Sequence, residues 1–367
     1  MLKPLYHSLQ SSIFIVNPLT CFLVILTLDK MFSDKIRVAT YLLSRYIFFM
    51  DKIFEHHLPF MVFLQDIANP VLDIIAQVIT VFGESPIPLL STIFIYWCFD
   101  KKKGFVIISS LMSAMMSMQV LKAIFRVPRP FMRYPELITA KRETTATGFS
   151  FPSGHSTTAA AFYGSLVYLY KFRWLRALCI SLIVLVPISR LYLGAHWPLD
   201  ITIGTLIGLI AALFLGKYFD SIYEKKRSFL LFCATFGSCS FALSILIAII
   251  MDVLYSNYSS LDLFKQTDIY RALHNLMQNS AIASGLFIGM IADKKYLNFI
   301  PSKGPKERTL SYIIGLALLA VIAYLITMIP FCKFTFEFVL FCFTGLWVTF
   351  LFPLIAHKLG FMEKELQ

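Results

Sequence analysis

Charge is scarce in this 367-residue chain. Only 15% of residues are charged, and the acidic ones are fewest, 21 Asp and Glu against 33 Lys and Arg. With 58% hydrophobic and 16% aromatic residues and a mean hydropathy of +0.73, the composition excludes an ordinary soluble domain. Cysteine motifs are also absent. Cys21, Cys98, Cys179, Cys233, Cys239, Cys332 and Cys342 lie in or beside apolar runs, without a Cys-x-x-Cys pair or a metal-like spacing. They read as small core hydrophobes. No carboxylate cluster is dense enough to hold a divalent cation, and no cofactor motif is present. The chain has no internal repeat, no low-complexity segment and no convincing small-x-small cleavage site after its first apolar run.

Several apolar runs reach the roughly 20 residues needed to cross a bilayer. The net charge of +12 invites a nucleic-acid reading, but the basic residues are not interleaved with aromatics on one patch. They fall in short loops between apolar runs: 101–103, 171–176, 225–227, 294–308 and Lys358. That is the positive-inside pattern, so membrane topology explains most of the charge. The partner implied is the bilayer, with no nucleic acid; nothing in the sequence sets an oligomeric state.

Residues 12–29 form a first apolar run, interrupted by Asn17 and Pro18. The stretch 34–65 carries too many charges for a span and reads as an interfacial amphipathic helix. From Pro70 onward, spans are expected at about 70–98, 104–125, 156–172, 177–194, 198–217, 229–252, 278–293, 310–330 and 335–356. The fold class is therefore an all-α polytopic membrane helical bundle. Placing the basic loops on one side puts 126–155, the turn near His196 and 253–277 together on the other. Arg126, Arg129, Arg133, Lys141 and Arg142 lie on that side against the charge rule, and anion binding is the simplest reason for them.

The stretch 148–158, Gly-Phe-Ser-Phe-Pro-Ser-Gly-His-Ser-Thr-Thr, combines a turn, a helix start with Ser153 as N-cap, and a titratable histidine, His155. A helix start offers unpaired N–H groups to an anion. By itself it is equally an ordinary capped loop end. Lys122 alone reads as a snorkelling lysine, Arg129 as a loop charge, His196 beside Trp197 as an interfacial residue, and Asp200 as a helix-terminal charge. Their joint spacing is what outweighs these readings: Lys122-x6-Arg129-Pro, then Pro-Ser153-Gly154-His155, then Ser-Arg190-x5-His196-x3-Asp200. His196 and Asp200, four apart, are expected on one face of a helix opening near Pro198. A carboxylate there accepts from one imidazole nitrogen and leaves the other free.

This triplet resembles the signature of the type-2 phosphatidic acid phosphatase superfamily, the membrane branch that shares its site with vanadium haloperoxidases. A looser likeness around Tyr96 to Gly104 is similar to bacterial relatives of sphingosine-1-phosphate phosphatase and glucose-6-phosphatase. The resemblance implies a six-helix phosphatase core at 66–228, after an N-terminal segment 1–65 and before additional transmembrane helices at 229–367. It also implies a metal-independent enzyme that hydrolyses a lipid phosphate monoester or pyrophosphate through a phosphohistidine. In that scheme His196 is the nucleophile, Asp200 orients it, and His155 is general acid and then base. Lys122, Arg129, Ser153, Gly154 and Arg190 cradle the phosphoryl oxygens. With the loop charges, the location expected is a bacterial inner membrane with the site facing the periplasm or exterior.

Two alternatives stay open at this level: a phosphotransferase using the same phosphohistidine, and a non-enzymatic lipid transporter or sensor, against which His155, His196 and Asp200 together argue. Glu84 reads equally as a site residue or a membrane-surface charge, His56-His57 as an interfacial pair, and His274 as a solvated loop residue. The aromatic run Phe331 to Phe343 reads as a lipid-facing span, and Asn257-Tyr-Ser is a formal glycosylation sequon.

Overall fold

The structure is a computed structural model that describes residues 52–142, 146–256, 263, 265–301, 304–327 and 334–364. The apolar run 12–29, the stretch 34–51 and the Asn257 sequon lie outside the described residues. Two compact units are present, Met1–Phe60 and Met61–Gln367. In the first, residues 52–60 are helical and carry His56 and His57.

The second unit is the expected all-α membrane bundle. Helices α1 (Pro70–Val81), α2 (Pro86–Cys98) and α3 (Lys101–Phe125) precede a single turn at Pro130–Arg133. Then come α4 (Gly154–Leu169), α5 (Arg173–Tyr192) and α6 (Pro198–Leu209), which widens into a π-helical stretch before α7 (Gly216–Tyr223). Beyond these lie α8 (Lys226–Tyr255), α9 (Asp268–Ala292), α10 (Pro305–Thr327), α11 (Phe334–Leu346) and α12 (Phe352–Lys358). Among the described residues, seven stretches are long and apolar enough to cross a membrane. Among the described residues, the one sheet is a small antiparallel ladder of β1 (Phe299–Pro301) with β2 (Met362–Lys364).

Local chemistry sets the boundaries. Asn69 Oδ1 accepts from the Val71 and Leu72 N–H groups at 3.1 and 3.0 Å to start α1, and Asp100 accepts from Lys103 N–H at 3.0 Å to start α3. The span expected over 70–98 is present as one apolar stretch, Pro70–Cys98, whose helix is interrupted at 82–85, around Gly83 and before Pro86. The span expected at 278–293 instead begins at Asp268, ten residues earlier, capped by Thr267. Its polar Arg271, His274 and Asn275 resemble a loop, yet Leu276 and Met277 on the same helix are buried against Ile247, Met251, Phe334 and Phe338. Tertiary packing decides it.

Helix α4 is the axis of the bundle, buried from Ser156 to Leu166 and packed against α3, α5 and α6. Close approach needs small residues where lipid tails supply no hydrophobic drive. A Cβ on Gly208 would sit 2.5 Å from the Thr157 carbonyl oxygen and 2.6 Å from Ala160 Cβ, and one on Gly204 would sit 2.7 Å from the Ser153 oxygen. In the C-terminal half, a Cβ on Gly285 would collide with the Cys342 carbonyl, so α9 and α11 are held at the same close range.

The two ends of the bundle differ in charge chemistry. At the end where α3 starts, buried Asp293 pairs with Lys101, whose Nζ also donates to Asn298 Oδ1 and the Phe299 carbonyl, each at 3.2 Å. Removing one partner of such a buried pair costs ~3–5 kcal/mol. Lys102 meets Asp220 and Glu224, both at 3.2 Å. The signature residues gather at the other end, where α3 and α5 finish and α4 and α6 begin.

Gly208→Val is expected to lower stability by about 1–3 kcal/mol through overpacking of α4 on α6, read as a fall in the thermal transition in detergent.

Candidate active site

The site is built from chain ends and one loop. Residues 146–153 turn beneath the start of α4, and Ser153 caps that helix, its Oγ accepting from Ser156 N–H at 3.4 Å and from Ser156 Oγ–H at 2.9 Å. Ser153 N–H donates to the Asp200 carbonyl at 3.0 Å, locking α4 to α6. Gly154 opens α4, where the first-turn N–H groups have no helical carbonyl to reach. Lys122, in the last turn of α3, points its Nζ at the loop and donates to the Phe149 carbonyl at 2.7 Å and the Ser150 carbonyl at 3.4 Å.

Arg129 is the hub. Its Nε donates to the Gly148 carbonyl at 2.8 Å, its Nη2 to Thr147 at 2.7 Å, and its Nη1 to Ala195 at 2.9 Å. The same Nη1 lies 3.2 Å from His196 Nε2. A guanidinium only donates, so Nε2 is the acceptor and the imidazole proton resides on Nδ1. Nδ1 in turn faces Asp200 Oδ2 at 3.3 Å.

Asp200 is 1% exposed and His196 2% exposed. A carboxylate buried this far needs several donors. Oδ2 takes three: the His196 Nδ1–H, the Trp197 N–H at 2.8 Å and the Ser150 hydroxyl. Ser150 Oγ is also 3.2 Å from His196 Nδ1, which makes it a bridge between the two. The helical-face expectation for His196 and Asp200 is corrected here. α6 opens at Pro198, so Asp200 is in its first turn while His196 precedes it in the turn after Gly194, whose φ of +70° only glycine adopts easily. Asp200 caps the Trp197 N–H and reaches His196 from that position.

Arg190, fully buried in the last turn of α5, donates from Nη1 to Thr80 Oγ1 at 3.1 Å. His155 Nε2 is buried and has no hydrogen-bond partner among the described residues. Gly83, in the break between α1 and α2, backs His155 closely; a Cβ there would lie 3.2 Å from His155 Cβ. Burial first, and then the positive charges of Arg129, Arg190 and Lys122, hold the His196 imidazole well below the ordinary histidine range, so it is neutral at physiological pH.

All eight predicted site residues thus converge, and sequence reasoning missed two neighbours. Ser150 lies inside the stretch already singled out, hidden among small residues. Thr80 is a lone hydroxyl in an apolar helix and gave no signal. The reading of the outer positive charges as anion ligands is corrected in part: Lys141 pairs with Asp73 at 2.6 Å and Arg142 with Glu84 at 2.6 Å. Glu84 therefore holds Arg142 over the site. His274 is in α9 rather than a loop, paired with Glu337 at 3.0 Å. Among the described residues, no three His, Cys, Asp or Glu side chains group as a metal site.

The pattern of the PAP2 superfamily matches residues 103–224, and that of the PAP2 superfamily phosphatase transmembrane extension matches 277–364. A candidate undecaprenyl-diphosphatase of Escherichia coli (strain K12), YbjG, is 34% identical over 155 residues, covering 40% of this chain and 75% of that one. The chain belongs to the PAP2 superfamily. The likeness extends to other superfamily members. The undecaprenyl-diphosphatase of Sulfolobus acidocaldarius is 34% identical over 108 residues, 29% of this chain and 51% of its own length, so this chain spans about half of it. A dihydrosphingosine 1-phosphate phosphatase of Schizosaccharomyces pombe is 29% identical over 119 residues, 29% of this chain and 28% of its own. The resemblance to sphingosine-1-phosphate phosphatases thus reappears. Helices α9 to α12 fall largely in the extension, for which the sequence alone offered no pattern.

Ser150→Ala is expected to lower kcat/KM on a lipid phosphate about tenfold, the worth of one buried hydrogen bond, without moving the thermal transition by more than a few degrees. For pH, His196 stays neutral as acid is added until its lowered pKa is crossed. Arg129→Gln removes a positive charge that disfavours the imidazolium, so the acidic limb of the kcat/KM profile is expected to shift to higher pH, toward the ordinary histidine range.

Proposed function

We propose that this membrane protein hydrolyses a phosphate monoester or diphosphate of a lipid through a phosphohistidine on His196. The observation that carries this reading is the two-sided hold on one imidazole: Asp200 takes Nδ1–H at 3.3 Å, and Arg129 Nη1 lies 3.2 Å from the Nε2 lone pair. A phosphoryl oxygen that takes over the Arg129 Nη1–H from Nε2 is thereby brought beside the attacking nitrogen and frees its lone pair, with Lys122, Arg190, Ser153 and the Gly154 N–H as its other ligands.

In the first step Nε2 of His196 bonds to phosphorus as the bond to the lipid oxygen breaks, and His155, entering as the imidazolium, gives its Nε2 proton to that oxygen and becomes neutral. In the second, His155 takes a proton from water, the resulting hydroxide bonds to phosphorus, and the phosphorus–nitrogen bond returns its pair to His196. Asp200 keeps its proton partner throughout and stabilises the phosphorylated ring. Three cationic side chains neutralise the phosphoryl charge, so the scheme has no step that calls for a metal. The names of the relatives, two diphosphatases of a polyprenyl lipid and a sphingoid phosphate phosphatase, support a lipid phosphate as substrate class.

The proposed division of labour assigns the catalysis to residues 66–228 and leaves 229–367 as added transmembrane helices. The positive-inside rule supports a site facing away from the cytoplasm, toward the periplasm or exterior if the membrane is a bacterial inner membrane, because the Lys101 to Lys103 end lies opposite it.

Phosphate release from a panel of lipid mono- and diphosphates by purified protein tests the reading. Release that persists in chelator and falls by about 10³-fold or more in His196→Ala is expected. Activity that survives the substitution, or that chelator abolishes, would contradict it.

A further inference from the structure

The first turn of α9, in the segment between the two family matches, lies against the loop that Arg129 holds. Gly148 is left-handed with a φ of +68°, and its Cβ position points at Arg271, 3.6 Å from that residue's Cβ. The carbonyl of the same Gly148 accepts from Arg129 Nε at 2.8 Å. One peptide thus separates the phosphoryl-binding arginine from a second arginine supplied by the C-terminal half.

Arg271 is held lightly and its mounting is rigid. Its Nη1 donates to Asp268 Oδ1 at 3.0 Å, an i,i+3 pair in which the arginine side chain is 36% exposed and the carboxylate 13%, so the charge presented outward is positive. Such pairs on a helix surface are weak and readily exchanged for a better acceptor. The turn itself is braced. Thr267 Oγ1 caps Tyr270 N–H at 3.1 Å, the Tyr270 ring stacks on His274 at 5.1 Å, and His274 meets Glu337 of α11 at 3.0 Å. Lys141 and Arg142 are already committed to Asp73 and Glu84.

We propose that Arg271 is a specificity residue, meeting a second anionic group of the substrate, the phosphate that stays with the lipid when a lipid diphosphate is cleaved. The assignment rests on the lipid-phosphate reading above. It gives α9 a task at the site beyond packing, because an arginine fork offers two parallel donors to a phosphate that a monoester lacks.

Binding of inorganic pyrophosphate and of inorganic phosphate, measured by calorimetry on the detergent-solubilised full chain, tests it without requiring turnover. Wild type is expected to prefer pyrophosphate. Arg271→Ala should weaken pyrophosphate about tenfold and change phosphate by no more than about twofold, with Arg271→Lys in between. An equal loss for both anions, or no loss for either, would overturn the assignment. A matching loss of kcat/KM on a polyprenyl diphosphate but not on the monophosphate of the same chain would carry it into catalysis. If no lipid phosphate releases phosphate while the pyrophosphate preference and its loss in Arg271→Ala persist, the hydrolase reading fails and the binding assignment stands.

Discussion

Every part of this site depends on where the Arg129 guanidinium goes. It closes three carbonyls, Thr147, Gly148 and Ala195, into one wall and fixes which nitrogen of His196 is left with a lone pair. An arginine held this way cannot be replaced by lysine, whose point charge reaches one or two of these acceptors but not all of them in one plane. The loop that carries Ser150 and Ser153 and the turn that carries His196 are far apart in sequence, and Arg129 joins them. Asp200 then answers from the other face of the imidazole. Its own burial is made tolerable by Ser150 and by the first turn of α6, so the carboxylate that holds His196 also caps the start of that helix.

The membrane imposes the second constraint. Cationic side chains near the end of an apolar bundle are costly unless they are enclosed, and they are enclosed here by helices brought unusually close. Gly204 and Gly208 let α6 lie against α4, which puts Asp200 at the level of Ser153. The break at 82–85 matters for the same reason. An unbroken α1 and α2 would present apolar side chains where Gly83 now backs His155 and Glu84 now holds Arg142.

Much of this was legible in the sequence because it is carried by residue types at fixed spacing. Lys122, Arg129, His155, Arg190, His196 and Asp200 each look ordinary, and together they do not. Helix existence followed from apolar runs, and the sorting of charge to opposite ends followed from loop composition. What escaped was set by tertiary contact. Thr80 and Ser150 are small hydroxyls whose partners come from elsewhere in the chain. The early start of α9 depends on packing against α8 and α11 that no local pattern announces. The pairing of Lys141 with Asp73 and Arg142 with Glu84 joins residues about sixty positions apart, and only the folded chain brings their charges together.

In the proposed reaction phosphorus changes partners twice, first to His196 and then to water. The most direct measurement is the stereochemical course of hydrolysis of a lipid phosphorothioate made chiral at phosphorus with one heavy oxygen isotope, in water that carries the other. Two in-line displacements predict retention of configuration in the released thiophosphate, which sulfur and three oxygen isotopes make chiral. Inversion would mean a single direct attack by water, and would contradict a covalent intermediate on His196.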